Sequence, residues 1–446
     1  MGLYRPWRLA CLLVAATALA GAPLPSPAEA AGRKALDLLL ASRYPEFGRL
    51  LTAEAKEKLT PEFLRDSVGS EVKSFGKPAE IGQPLTFKSG SSDVVTFPIR
   101  FSNKAVSIQF TLNESGQVAG LHFRSPGDLP PVWKRPSYSK TESFTERHVT
   151  VGADEWKLGG TFTIPSGKGP FPAVVLVHGP GPNDRDEAIF ALRIFADIAE
   201  GLASRGIAVL RYDKRTRVYG ARMSEMAFTL QQETIEDAVR ALALVRRQPE
   251  VDPNRVFVLG HSLGGYAVPR IARQDGKLGG AIVLAGNARH IEDVSLAQVE
   301  FTLKAKGGAS PEEQKRLDSM KAEAARVRSL APGKDNPPVL MGLPTAYFLD
   351  LKNYDPVIEA RQLAIPMLFL QGDRDFQVTR EDFGMWKAGL TGAKNITFLN
   401  YPTLNHLFIS GEGAPSPAEY RNAGNVAPAV IEDVAGWIAG QKPNRH

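Results

Sequence analysis

The sequence predicts an α/β fold: a doubly wound, mostly parallel sheet with a helical cap insertion, preceded by a small α+β domain. From about Phe144 onward, short apolar runs alternate with helical segments over most of the chain. These runs are continuously apolar, which is typical of parallel strands buried on both faces. Charged helical sequence interrupts the alternation between His290 and Pro356, which indicates an insertion.

The composition is that of a folded protein. The 446 residues are 43% hydrophobic and 23% charged, which excludes a disordered, collagen-like or coiled-coil chain. The formal charge of +6 is mildly basic, but no dense run of Lys and Arg is interleaved with aromatic residues, so we expect no nucleic-acid partner. No G-x-G-x-x-G follows a strand and no His, Asp and Glu residues have ligand spacing, so we expect neither cofactor nor metal.

The first thirty residues have the pattern of a signal peptide. Arg5 and Arg8 precede an uncharged apolar run, and residues 28–30 (Ala-Glu-Ala) form a small-residue cleavage site. We therefore expect residues 1–30 to be removed and the mature chain to be exported, either periplasmic or secreted. The alternative is a stable membrane anchor, but a spanning helix needs about 20 apolar residues and this run ends at Pro23.

Residues 33–124 predict the small α+β domain. Leucines and phenylalanines recur near helical spacing over residues 33–66, which fits two or three helices. The pattern then changes to period-two alternation. The predicted strands are Asp93–Phe101, Ala105–Asn113 and Gln117–Phe123. The proline-rich residues that follow predict a linker over 125–143.

Residues 144–446 predict the catalytic domain. The predicted strands are Phe144–Val151, Trp156–Ile164, Ala173–His178, Ile207–Tyr212, Arg255–Leu259, Ala281–Ala285, Ile365–Leu370 and Ile396–Tyr401. The predicted helices are Glu187–Ser204, Thr229–Arg247, Leu263–Gln274, Thr379–Leu390 and Ala427–Ala439. We expect the insertion at about 290–356 to cap the active site, the alternative being surface helices on the sheet edge.

A candidate nucleophile lies in the sequence Gly260-His261-Ser262-Leu263-Gly264. This G-x-S-x-G pattern follows an apolar strand and opens a helix, which is the setting of a nucleophile elbow. The turn is strained, and side chains at the glycine positions would collide with the neighbouring strand and helix. Ser262 is therefore predicted to stand at the tip of the turn as the nucleophile.

A serine hydroxyl needs an adjacent base to act as a nucleophile at neutral pH. Of the seven histidines, His406 alone follows a late strand, Ile396–Tyr401, whose carboxyl end could bring it to the serine. The alternative interpretation of His406 is a hydrogen-bonded surface histidine. The base in turn needs a carboxylate to orient it. Asp373 and Asp375 both follow the strand Ile365–Leu370, and we favour Asp375 because it lies farther along the loop.

The tetrahedral intermediate needs two backbone N–H donors. Leu263, which follows the nucleophile, is expected to supply one. The other is expected from the loop after the strand Ala173–His178, where Pro180 has no N–H. Gly181 is preferred there, with Gly179 as the alternative.

From about Phe144 to the C-terminus the chain resembles the α/β-hydrolase superfamily, in particular secreted or envelope acyl esterases and peptidase-like members. The resemblance is carried by the elbow at Ser262, Val177–Glu187, Arg211–Arg215, the Asp375 loop and Asn405-His406. It implies acyl transfer from a small-molecule ester or acyl substrate. In this family the residue after His-Gly commonly supplies an oxyanion donor, so Pro180 is a departure. Residues 33–124 resemble a small α+β domain found ahead of such hydrolases.

These observations predict a serine hydrolase that cleaves carboxylic esters of short or medium acyl chain through an acyl-serine intermediate. One alternative is a serine peptidase of aminoacyl or prolyl type on the same scaffold. Another is a catalytically inert envelope-binding protein. The acidic run Asp184–Glu187 either contacts substrate or caps the helix predicted to start at Glu187, and we favour capping.

Overall fold

The computed structural model describes residues 26–82, 84–89, 92–125, 133–153, 155–333 and 336–443. The chain divides into two compact units. The first comprises residues up to Thr86 together with Ser92–Gly127, and the second comprises Phe87–Ser91 together with Asp128–His446. Most of the predicted signal peptide, residues 1–25, lies outside the described residues.

The first unit packs short helices on one face of an antiparallel sheet. Its helices are α1 (Pro27–Leu40), α2 (Tyr44–Gly48), α3 (Ala53–Lys58), α4 (Pro61–Phe63) and α5 (Gly69–Ser74), with a π-helical turn at Leu64–Val68. Its strands are β1 (Pro78–Ile81), β3 (Ser92–Phe101), β4 (Ala105–Leu112) and β5 (Val118–Arg124), in the order β1-β3-β4-β5. The strand β2 (Leu85–Ser89), whose first two residues belong to this unit, also pairs with β3. Alternate residues of β3 and β4, such as Val95 and Ile108, form the core with Leu36 and Leu39 of α1.

This unit has more elements than the sequence predicts. Prolines at the first turns of α2 and α4 start new helices, so residues 33–66, where two or three helices are expected, contain all or part of four, and α5 follows them. The three predicted strands are present, whereas β1 and β2 lie at the β3 side of the sheet and have no alternation strong enough to identify them.

The predicted cleavage site after Ala30 lies inside α1. Ser26 caps this helix: its Oγ accepts a hydrogen bond from the Glu29 N–H at 3.2 Å, and Glu29 Oε2 accepts one from the Ser26 N–H at 2.9 Å. Glu29 Oε1 also accepts a hydrogen bond from the Thr86 hydroxyl. A cut after Ala30 would therefore remove both the cap and the first turn of α1.

The second unit is built on an eight-stranded sheet. Its strands are β6 (Phe144–Val151), β7 (Leu158–Pro165), β8 (Phe171–Val177), β11 (Ala208–Tyr212), β12 (Val251–His261), β13 (Gly280–Leu284), β16 (Met367–Gly372) and β17 (Ile396–Tyr401). They lie in the order β17-β16-β13-β12-β8-β11-β7-β6. Neighbours are parallel except for β11 with β7 and β7 with β6. The predicted mostly parallel sheet is confirmed.

Helices cover both faces of this sheet. They are α6 (Ile194–Ala203), α7 (Arg215–Val218), α8 (Gly220–Ser224), α9 (Glu236–Arg246), α10 (Leu263–Asp275), α11 (Ile291–Ala305), α12 (Pro311–Ser329), α13 (Thr345–Leu351), α14 (Pro356–Arg361), α15 (Arg380–Gly389) and α16 (Pro428–Gly440). Val175 and Val177 of β8 belong to one core, with α9 and α10. Val174 and Leu176 belong to the opposite core, with α6 and α16. Because the sheet is buried on both faces, the predicted doubly wound arrangement is confirmed.

The helix predicted at Glu187–Ser204 starts later, at Ile194. Glu187 and Phe190 have φ values of 47° and 53°, which a right-handed helix does not allow. The chain instead forms the two-stranded ladder of β9 (Ala188–Ile189) and β10 (Leu192–Arg193). The helix-capping interpretation of the acidic run Asp184–Glu187 is therefore wrong.

The insertion at 290–356 contains α11, α12 and α13 and the small ladder of β14 (Val339–Leu340) with β15 (Leu343–Pro344). The 19-residue α12 carries charged side chains along most of its length. None of the helices in the described part of the chain combines the length and apolarity that crossing a bilayer requires.

Candidate active site

Ser262 stands at the turn between β12 and α10. Its φ and ψ of 55° and −119° are strained for a residue with a side chain, and its N–H donates to the Leu284 carbonyl of β13 at 2.9 Å. A Cβ at Gly260 would lie 2.3 Å from the Gly264 oxygen, and a Cβ at Gly264 would lie 2.2 Å from the Val177 oxygen. Both glycines are thus required for the backbone to pass this closely.

We expect Gly264→Ala to destabilise the protein by about 1–3 kcal/mol or more, or to prevent folding, because the added methyl meets backbone rather than a movable side chain. The matched control is Gly436→Ala in α16, where no atom lies within 4 Å of the added Cβ. This control should stabilise the protein by about 0.4–1 kcal/mol. Denaturant unfolding measures both, and a Gly264→Ala variant as stable as wild type would contradict the close approach.

His406 and Asp375 form a buried pair. His406 Nδ1 lies 2.7 Å from Asp375 Oδ2, while Asp375 Oδ1 accepts the N–H groups of Gln377 and Val378 at 2.8 and 2.9 Å. Gln371 Nε2 donates to Asp375 Oδ2 at 3.1 Å. A carboxylate only accepts hydrogen bonds, so His406 carries its proton on Nδ1 and its Nε2 is available as a base.

Asp373, the other predicted candidate, has different partners. Its Oδ2 accepts a hydrogen bond from Asn400 Nδ2 at 3.2 Å, and its Oδ1 lies 3.6 Å from the Arg380 guanidinium. The structure therefore brings Asp375, and not Asp373, to His406.

His406 lies beside the nucleophile elbow. Its ring centroid is 4.7 Å from that of His261, the residue before Ser262. In the described part of the chain no hydrogen bond joins the Ser262 hydroxyl to His406. Such bonds are often long in unliganded enzymes and tighten when substrate binds, so this arrangement is compatible with proton transfer.

The two predicted oxyanion donors, Leu263 and Gly181, line one cavity together with Ser262. Leu263 is the first residue of α10, where backbone N–H groups lack helical partners. Gly181 has a φ of 91° and open space around its α-carbon. The N–H of Gly179, the alternative donor, is committed to Glu187 Oε1 at 2.6 Å. Over the residues that the structure describes, neither the Leu263 nor the Gly181 N–H makes a hydrogen bond within the protein.

The cavity has a volume of about 150 Å³ and is bounded by the insertion. Apolar side chains of α11 and β15, Ile291, Val294 and Leu343, form one wall. Gln298 and Tyr347 also line the cavity. The insertion therefore contributes part of the lining of the cavity that contains Ser262.

A buried polar network lies under this cavity, and sequence analysis did not identify it. Lys214 Nζ donates to Glu233 Oε1 and to the Gly179 carbonyl, both at 2.7 Å, and the Tyr347 hydroxyl donates to Glu233 Oε2 at 2.6 Å. Each charge is paired, as burial requires. Lys214 comes just after β11, and a polar residue at the end of a predicted strand can be identified from the sequence as a candidate site residue. Glu233 falls in an ordinary helical pattern and cannot be identified in this way.

His178 is close to the site but is not a second base. The pKa of His178 is lowered to about 4, mainly by burial and also by the nearby Lys214 charge, against the opposing effect of Glu187. Its ring packs against Phe195 and Tyr212. His178 is therefore a neutral packing residue at the end of β8. Among the described residues, no group of three or more His, Cys, Asp or Glu side chains is placed to hold a metal ion.

Comparison with known proteins gives three kinds of match. The profile of the family described as "Alpha/beta hydrolase family" matches residues 174–417. Esterase EstD of Thermotoga maritima is 40% identical over 348 residues, covering 78% of this chain and 79% of that protein. Among solved structures, Est1E from Butyrivibrio proteoclasticus is 17% identical with a TM-score of 0.43, covering 66% of this chain and 97% of its own. The Pyrococcus horikoshii acylaminoacyl peptidase is 15% identical with a TM-score of 0.47, covering 83% and 57%.

Proposed function

Because the chain belongs to the alpha/beta hydrolase family, we propose that it is an esterase that cleaves carboxylic esters through an acyl-serine intermediate. The observation that carries this proposal is the 2.7 Å contact between His406 Nδ1 and Asp375 Oδ2 beside the strained turn at Ser262. An oriented base beside a serine that lines a cavity at a helix start is what acyl transfer needs.

The proposed reaction has two halves. His406 Nε2 takes the proton of the Ser262 hydroxyl as Oγ bonds to the ester carbonyl carbon, and the carbonyl oxygen becomes an oxyanion that accepts from the Leu263 and Gly181 N–H groups. His406 then gives the proton to the departing alcohol as the carbon–oxygen bond breaks. A water molecule repeats the sequence on the acyl-serine, and the carboxylic acid leaves with Ser262 restored.

The cavity suggests a small acyl group. Its volume of about 150 Å³ matches an engineered cavity that holds benzene, so about six carbon atoms fill it. We therefore propose acetyl to hexanoyl esters as the substrate class, with the apolar wall of Ile291, Val294 and Leu343 against the acyl chain.

Kinetics on a panel of substrates test this function. We expect p-nitrophenyl acetate, butyrate and hexanoate to be hydrolysed with kcat/KM at least about tenfold above the decanoate, since a clash in the acyl pocket is worth about 1–3 kcal/mol. Aminoacyl and prolyl p-nitroanilides test the peptidase alternative. Hydrolysis of the anilides but not the esters would replace the esterase proposal with the peptidase one.

Labelling by a fluorophosphonate probe tests the inert-binding alternative. We expect one label per chain, abolished by heat denaturation. Folded protein that neither labels nor hydrolyses any member of the panel would favour a binding protein.

We propose that the chain is exported, on the basis of Arg5, Arg8 and the apolar run that follows them. Expression of the full sequence, cell fractionation and sequencing of the recovered N-terminus test this. A product found outside the cytoplasm that begins at Ala31 is expected. A start nearer Ser26 would mean that the cap of α1 is retained, and full-length protein in the cytoplasm would contradict export.

A further inference from the structure

We propose that a buried pair, Glu187 with His261, is a positioning device that ties the turn carrying Gly181 to the loop carrying His406, and so holds both in place around Ser262. This inference rests on the proposed function of the site. The pair does not line the cavity, so both members act through other residues.

Glu187 is held in an unfavourable conformation. Its φ of 47° lies in the left-handed region, and only 3% of its surface is exposed. Both carboxylate oxygens are engaged: Oε1 accepts the Gly179 N–H at 2.6 Å, and Oε2 lies 3.1 Å from His261 Nδ1. A buried strained acid with two specific partners is typical of a site under functional constraint.

The Gly179 contact places Glu187 next to the reacting groups. A Cβ at Gly179 would lie 3.2 Å from the Ser262 Cβ, so the turn of residues 179–181 runs directly against the nucleophile. Gly181, the proposed oxyanion donor, is two residues farther along this turn. A shift of the Gly179 peptide would therefore move the Gly181 N–H relative to Ser262.

His261 extends the connection to the base. Its Nε2 lies 3.0 Å from the His406 carbonyl oxygen, so one imidazole ring bridges Glu187 and the backbone of His406. A carbonyl and a carboxylate both accept hydrogen bonds, which requires protons on both ring nitrogens. His261 is therefore a cation, paired with the Glu187 anion.

The electrostatics of the pair agree with these proton positions. Burial by itself disfavours the charged forms of both groups. The Glu187 carboxylate and the hydrogen bonds to Glu187 and His406 nevertheless raise the pKa of His261, and the His261 charge lowers the pKa of Glu187. Both directions favour the ionised pair that the hydrogen-bond geometry indicates, in which the hydrogen bonds are of the charge-assisted kind.

Loss of the Glu187–His261 pair is expected to affect the transition state rather than substrate binding. Oxyanion donors and the base contact the reacting atoms most strongly as charge develops, and a misplacement of about 1 Å can reduce the rate about 10²-fold. Loss of the pair should therefore lower kcat with little change in KM.

Two variants of Glu187 test the proposal. Glu187→Ala removes the contacts with both the Gly179 N–H and His261. We expect kcat per active site to fall about 10²-fold, with KM within about twofold of wild type. Glu187→Gln keeps an oxygen for the Gly179 N–H but turns an amide toward His261, which then becomes neutral while still able to donate to His406. We expect this conservative variant to recover part of the activity, leaving a loss of about tenfold.

Active sites are counted by stoichiometric fluorophosphonate labelling, because a merely structural role would reduce the number of reactive sites and leave the turnover of each unchanged. The control is Glu200→Gln in α6, another buried glutamate, whose carboxylate binds Arg135 and Ser139. Its kcat per site should equal that of wild type.

The outcomes separate this inference from the proposed function. If the wild-type protein does not hydrolyse esters, the proposed function is wrong, and this inference is wrong with it. If wild type hydrolyses esters and both Glu187 variants have the same kcat per active site as wild type, the positioning role is wrong and the proposed function stands. If Glu187→Ala does not fold, Glu187→Gln alone tests the proposal. A kcat per active site for Glu187→Gln equal to that of wild type would then overturn it.

Discussion

Replacing Ser262 by alanine is expected to lower kcat for p-nitrophenyl butyrate by about 10⁴-fold or more. The hydroxyl at the β12–α10 turn is the only group of the variant site that differs, and without it no acyl-serine forms. Residual hydrolysis by water held in the cavity remains, because the Leu263 and Gly181 N–H groups still stabilise an oxyanion. Steady-state kinetics with purified variant, checked for contaminating wild type by fluorophosphonate labelling, measure the loss.

Ser295 provides the matched control for this substitution. It lines the same cavity from α11, and its hydroxyl donates to the Ile291 carbonyl at 2.7 Å. Ser295→Ala should therefore retain kcat within a few-fold of wild type. Wild-type turnover by the Ser262→Ala variant would exclude Ser262 as the nucleophile, whatever the control shows.

Asp375→Asn is expected to lower kcat by about 10³–10⁴-fold with the fold intact. The oxygen that accepts from the Gln377 and Val378 N–H groups is retained, so the new amide nitrogen faces His406 Nδ1. His406 must then accept at Nδ1 and carry its proton on Nε2, where it cannot take the proton of Ser262. Stopped-flow and steady-state ester hydrolysis, with unfolding midpoints for both proteins, measure the effect.

Asp373→Asn is the control, since Asp373 lies in the same loop and binds Asn400 instead of His406. It should keep wild-type kcat within a few-fold. If Asp373→Asn instead lost activity and Asp375→Asn did not, the base would be oriented by the carboxylate that the structure places away from it, and the assignment of the pair would be wrong.

The strand, turn and helix around Ser262 were predictable because local chemistry determines them. The predicted helix Leu263–Gln274 differs from α10 by one residue, and the glycines at 260 and 264 indicated a close backbone approach that the structure contains. His406 and Asp375 were identified by a similar argument, since each follows a strand at the carboxyl edge of one sheet.

The features that sequence analysis missed depend on long-range contacts. Glu187 and His261 are 74 residues apart, and neither lies in a pattern that indicates pairing. The predicted start of a helix at Glu187 was wrong for the same reason: the carboxylate is held by Gly179 and His261, and these contacts stabilise a backbone conformation that local propensity disfavours. Glu233 was missed because its partner Lys214 lies 19 residues earlier in the chain, outside the helical pattern that contains Glu233.

The insertion at 290–356 supplies much of the lining of the cavity proposed to hold the acyl group, whereas Ser262, Asp375 and His406 all come from loops of the sheet. In the proposed reaction, selectivity and bond cleavage thus depend on separate stretches of the chain. Substitutions at Val294 or Leu343 would retune which esters are accepted while leaving the proton relay as it is, so directed evolution of a new specificity should begin in α11 and β15.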